Sequence, residues 1–152
     1  MLDRAAERIG LATAGRVTAI QGDVREIDLG EGRFDIILAA AVLHHLRSDA
    51  EWRQVFAAFH RVLRPGGSLW IFDLVDCEMP AVRHIVWRRY GKYLADLKDE
   101  TYRNEVLAYI EKEDAPRPLA FQLELLRQVG FDQIDVLHTH TCFAAFGATR
   151  TG

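Results

Sequence analysis

The sequence predicts an α/β fold: a largely parallel sheet with helices on both faces and an antiparallel hairpin at the carboxyl end. Three observations point there. Residues 34–40, Phe-Asp-Ile-Ile-Leu-Ala-Ala, form an almost unbroken apolar run of strand length, the pattern of a parallel strand covered on both sides. Strand-like and helix-like stretches alternate along most of the chain. The 152 residues, 49% hydrophobic and 27% charged, suffice for one domain with a sizeable core and carry no bias toward disorder or fibrous repeats.

Charge and cysteine usage narrow the function classes. A formal net charge of −3 gives no general attraction to phosphate backbones or anionic lipid, so nucleic-acid binding is not expected and small-molecule chemistry is. The sequence has no signal peptide and no apolar run long enough to span a membrane, so no membrane association is expected. Cys77 and Cys142 lie far apart, outside any Cys-x-x-Cys or Cys/His ligand spacing. They read as small buried apolar residues in a reducing cytoplasm.

Taken in order, Leu2, Ala5, Ala6 and Ile9 stand at helical spacing, with Met1 at the mouth of the helix and Gly10 as its stop. Residues 16–20, Arg-Val-Thr-Ala-Ile, read as a β-strand running into Gln21-Gly22-Asp23. A polar turn with Gly30 and Gly32 leads to the strand at 34–40. Ser48 precedes Glu51 by three residues, the spacing of a capping box, and predicts a helix start. Trp52, Val55, Phe56, Phe59, Val62 and Leu63 give that helix one apolar stripe, and Arg64-Pro65-Gly66-Gly67 ends it before a strand at 68–72. Two further amphipathic stretches interrupt the alternation and predict a helical cap at about 78–115, the kind of insertion that shapes a substrate pocket. Its Arg83, Arg88, Arg89 and Lys92 are followed closely by acidic residues and read as a solvated face. Pro116-Arg117-Pro118 opens a last helix that Gly130 closes. Runs at 134–138 and 142–147 then suit an antiparallel hairpin.

Four segments, in this order, carry a family resemblance: Gly22-Asp23-Val24, the stretch from Phe34 to Leu46 with its Val42-Leu43-His44-His45, Arg61-Val62-Leu63-Arg64-Pro65-Gly66-Gly67, and Leu126-Arg127-Gln128-Val129-Gly130-Phe131. Together the sequence resembles the class I, Rossmann-like S-adenosylmethionine (SAM)-dependent methyltransferases over essentially its whole length. The resemblance implies methyl transfer from SAM to an unidentified acceptor, expected to be a small molecule. It places Asp23 at the adenine amino group and Val24 against the ring, and it sets Ala39 and Ala40 beside the methionine part and the sulfonium. A carboxylate suits the first task because at neutral pH it only accepts hydrogen bonds. Apart from the family, Asp23 could simply end a strand. His44 and His45 follow directly as candidate catalytic bases, since imidazole titrates near neutrality; packing beneath the helix is the alternative.

One departure bears on everything else. Family members open with a strand, an acidic-x-Gly-x-Gly-x-Gly loop, a helix and a second strand ending in an acid for the ribose, and none of these occurs here. The chain therefore reads as a methyltransferase domain truncated at its N-terminus, with the first two strands absent. In the family order those strands lie between the ones at 16–20 and 34–40, so these two are expected either to pair directly or to complete the sheet across a homodimer. A non-catalytic remnant or assembly module that keeps the fold without binding cofactor is the alternative function. The pairs His44-His45 and His138/His140 lack acidic or cysteine companions at ligand spacing, so no metal site is assigned.

Overall fold

The computed structural model describes residues 2–152, except for the side chain of Leu2; Met1, expected at the mouth of the first helix, lies outside the described residues. Helix α1 (Leu2–Ala12) runs past the expected stop at Gly10 and buries none of its described side chains. Strand β1 (Phe34–Ala40) leads through a 3-10 turn (Leu43–His45) to α2 (Asp49–Val62) and β2 (Leu63–Leu74). Helices α3 (Pro80–Leu97) and α4 (Glu100–Glu113) come next, then α5 (Leu119–Gln128) and the strands β3 (Ile134–His140) and β4 (Phe143–Thr149). The strands form one mixed sheet in the order β1-β2-β4-β3, with β1 parallel to β2 and the β4 pairings antiparallel.

The capping-box spacing forms as its chemistry dictates. The Ser48 hydroxyl accepts from the Glu51 amide at 3.2 Å, while the Glu51 carboxylate reaches back to the Ser48 amide at 3.0 Å. The helix so started lays Trp52, Val55, Phe56 and Phe59 on one face of the sheet. There they meet Leu69 and Ile71 of β2, Phe146 and Ala148 of β4, and Leu125 and Leu126 of α5 in a single core. Trp52 is fully buried, and its indole N–H donates to the Leu46 carbonyl at 3.2 Å, so the largest core side chain also satisfies its polar atom. The opposite face of the sheet carries Ile36, Leu38 and Phe72, all exposed. Helix α3 reaches this face at its upper end, where Tyr90 meets Phe143 edge-on.

Geometry requires glycine at Gly66 and Gly147 among other positions. Gly66 takes φ +81° in the irregular stretch where β1 and β2 change register; the Arg64–Gly67 segment, expected to separate helix from strand, lies inside β2, which begins at Leu63. Gly147 lets the β4 backbone lie against the indole of Trp70: a β-carbon there would fall 2.3 Å from the ring and 2.5 Å from the Leu69 carbonyl oxygen.

The strand expected at 16–20 does not form. These residues are exposed and unpaired, with Val17 and Ile20 open to solvent, so the direct pairing of 16–20 with β1 is overturned. An extended segment becomes a strand only when a neighbour takes its amides and carbonyls. Here no neighbour does, because residues 21–33 are committed elsewhere: Asp23 O accepts from the Glu26 and Ile27 amides, and the Gly32 and Arg33 amides donate to Arg61 and Val62 at the end of α2.

Replacing Gly147 by alanine is expected to lower stability by about 1–3 kcal/mol through overpacking against Trp70. Urea unfolding followed by tryptophan fluorescence checks this, with a falling midpoint and an unchanged slope as the expected result.

Candidate active site

The rim formed by the carboxyl ends of β1 and β2 is where an α/β sheet presents ligand groups. Strand β1 ends in two small residues with opposite roles. Ala39 is buried in the core, whereas Ala40 faces out from the other side of the strand. Ala41 then adopts φ +52°, a left-handed conformation uncommon for a residue with a β-carbon, and its amide donates to the Phe72 carbonyl at 2.8 Å. This turn throws the chain across the end of β2, Leu43 plugs into the core, and the two histidines are left at the rim.

What fixes them is Asp73 at the end of β2, whose side chain is completely buried. Its Oδ2 accepts from the amides of Val42 at 3.1 Å and Leu43 at 2.6 Å; its Oδ1 accepts from the Leu74 amide at 2.7 Å and from Nδ1 of His44. An imidazole donating from Nδ1 keeps its Nε2 lone pair free to accept a proton. The His44 side chain is 12% exposed, enough to be reached but not flooded. Burial lowers its pKa, but the hydrogen bond and charge of Asp73 and the charge of Asp114 outweigh that effect and move it above the ordinary 6.5.

A third group arrives from the cap. Asp114 closes α4, and the next amide, Ala115, donates to the His44 carbonyl at 2.7 Å, tying the cap to the 3-10 turn. Oδ1 of Asp114 lies 3.1 Å from Nδ1 of His45 and 3.8 Å from Nε2 of His44. The two imidazole centroids are 4.2 Å apart.

Asp23 is joined to the start of α2 by a chain of ion pairs. Its carboxylate accepts from the Arg25 amide and Nε, each at 2.9 Å, and the guanidinium goes on to Glu51 at the start of α2. Those hydrogen bonds hold the Asp23 carboxyl down to about 2. The Asp23 carboxylate is engaged by Arg25 and Val24 is exposed, and neither contacts the Ala39–His45 stretch among the hydrogen bonds and ion pairs of the described residues. The most voluminous cavity described, about 690 Å³, opens between residues 24–31 and the flank of α2 and includes neither histidine. A smaller one of about 320 Å³, lined by Trp87, Leu107 and Asp114 among others, lies in the cap beside the histidine cluster.

Sequence reasoning missed Asp73 and Asp114. Asp73 had a signal, a charge closing an otherwise apolar strand. Asp114 had none, because only the packing of the cap brings it to the histidines. His138 and His140 stand on β3, with β4 and β2 between them and β1. Cys142 is buried and its thiol is pushed up to about 11 by that burial, while burial also raises Cys77, so both thiols stay protonated as small apolar residues do.

Comparison with known proteins adds a likeness. A family model described as a methyltransferase domain matches residues 1–71. The chain is 30% identical over 102 residues to an uncharacterized methyltransferase of Synechocystis, covering 66% of this chain and 46% of that one. In sequence and in fold the chain is thus similar to methyltransferases. A demethylmenaquinone methyltransferase of Listeria monocytogenes is 23% identical over 137 residues, covering 88% of this chain and 56% of its own length. Human N-acetylserotonin methyltransferase, solved in complex with SAM, shares the fold with a TM-score of 0.57 at 18% identity over 88% of this chain and 33% of that one. The chain thus spans about half the length of the curated methyltransferases just described, or less.

A raised His44 pKa has a consequence with a definite sign. The stability it contributes is full below about 6.5, the unfolded value, and is lost as pH rises through the higher folded value. Urea unfolding across that interval should show stability falling with pH in the wild type, and His44→Gln should remove that part of the slope. Asp73→Asn, titrated by proton NMR, should bring the His44 pKa down.

Proposed function

We propose that the intact protein transfers the methyl group of SAM to a small acceptor that loses a proton as it is methylated, with His44 as the base that takes it. The observation carrying this reading is the Asp73–His44 pair: a buried carboxylate fixes the tautomer and leaves Nε2 free at the rim where the family places the sulfonium. Methyl transfer is in-line displacement at a carbon that a sulfonium already activates, which is the chemistry the bound cofactor supplies. The chain's own residues then align the acceptor and remove its proton.

The residues present fit part of the cofactor. Ala40 leaves room at the end of β1, whereas Ala39 is buried in the core, and Asp23, now held by Arg25, is the carboxylate offered to the adenine amino group, with Val24 beside the ring. For the methionine carboxyl end no glycine-rich loop exists within the 152 residues. His45, half exposed, flanks His44. The same reading includes cytoplasmic location, supported by two protonated, unpaired thiols, and a homodimer that gives β1 a second neighbour, supported by its open edge and the exposed Ile36 and Leu38. No described helix is long and apolar enough to cross a membrane.

Calorimetry with SAM on residues 1–152, and on a form that also carries a glycine-rich strand-loop, tests the assignment. Tight binding by the longer form supports it; binding by neither form refutes it. In a form active on an acceptor, His44→Gln is expected to lower kcat by roughly 10²–10⁴-fold with little change in KM for SAM. The rate should rise with pH along a limb centred above 6.5, following the raised His44 value.

A further inference from the structure

We infer that His44, His45 and Asp114 form a three-ligand site for a divalent transition-metal ion of the zinc class, bridging the rim of the sheet and the helical cap. One donor atom from each residue lies within 4.8 Å of the others, and Oδ1 of Asp114 is 3.8 Å from Nε2 of His44 and 3.1 Å from Nδ1 of His45. Two imidazoles and a carboxylate are the donor set of open zinc and non-haem iron sites, which keep further positions for water. Tetrahedral coordination at about 2.0–2.2 Å sets donors roughly 3.3–3.5 Å apart, so side-chain movements of about 1 Å close the set. Half-exposed His45 has that freedom.

Two further observations point to a cation. The Asp114 side chain is only 4% exposed, yet its Oδ1 accepts no hydrogen bond, although His45 Nδ1 lies 3.1 Å away. A buried carboxylate oxygen left in this state is costly, and a cation between the three donors satisfies it. Asp73, meanwhile, stands to His44 as the outer carboxylate of a carboxylate–histidine–metal arrangement: it takes the Nδ1 proton, fixes the ring and leaves Nε2 as the ligand. The inference does not depend on methyl transfer. A metal at Nε2 takes up the lone pair that would otherwise accept the acceptor's proton, so one imidazole serves one role at a time, and zinc is expected to inhibit the base rather than assist it.

The test uses the 152-residue chain freed of metal with chelator and titrated with Co²⁺, followed by its ligand-field absorption, then with Zn²⁺ in competition. One equivalent is expected to bind. Asp114→Asn and His45→Gln should each weaken binding by at least tenfold, Asp73→Asn should weaken it about 10–100-fold through loss of the outer hydrogen bond, and the His138→Gln/His140→Gln double variant should bind as the wild type does. Circular dichroism verifies that each variant is folded. Should Asp114→Asn unfold, the half-exposed His45→Gln carries the same comparison. Absence of stoichiometric binding, or binding that survives both Asp114→Asn and His45→Gln, overturns the site.

Discussion

The turn after β1, the end of β2 and the imidazole of His44 meet through the Asp73 carboxylate. It sits completely buried at the end of β2, where it receives two amides from the turn after β1, one from its own strand, and the imidazole of His44. Removing a charge from water costs several kcal/mol unless donors replace the water, and here four donors do so. The carboxylate thereby dictates the left-handed turn at Ala41, the 3-10 turn and the imidazole tautomer together, since none of its donors can move without exposing the charge. The chemistry proposed for His44, whether proton transfer or metal ligation, is a property of this buried charge as much as of the histidine.

The parts legible in the sequence were those whose physics is local. Ser48 and Glu51 announce α2 because a capping box is an interaction between residues three apart. The stripe from Trp52 to Val62 names the core because helical periodicity and burial are one pattern. The order of motifs from Asp23 to Phe131 pointed to the same methyltransferase likeness that comparison with known proteins finds. The strand expected at 16–20 shows the opposite case: Arg-Val-Thr-Ala-Ile has the composition of a strand, but a strand is defined by its neighbour, and residues 21–33 are tied down along α2 instead. Asp114 lay beyond sequence reasoning for a related reason, since its partners in space come from the turn after β1 and no local pattern connects them.

Helices α3 and α4 pack on each other and meet the rest of the chain mostly at their ends. The end of α4 is held by the Ala115–His44 bond, by Asp114 beside His44 and His45, and by the Arg47–Glu113 ion pair. Helix α3 is held by the Arg83–Asp76 ion pair and the Tyr90–Phe143 contact.

Strand β1 is both the border of the sheet and the strand that delivers Ala40 and the histidines to the rim. Its outer edge holds amides and carbonyls that no described strand takes up. Whatever chain segment docks there comes to lie alongside Ala40, so the event that completes the backbone ladder also raises the missing wall of the crevice. Architecture and ligand enclosure are thus acquired in a single step, and a preparation in which that edge is satisfied will differ from one in which it is open in shape and in what it can hold.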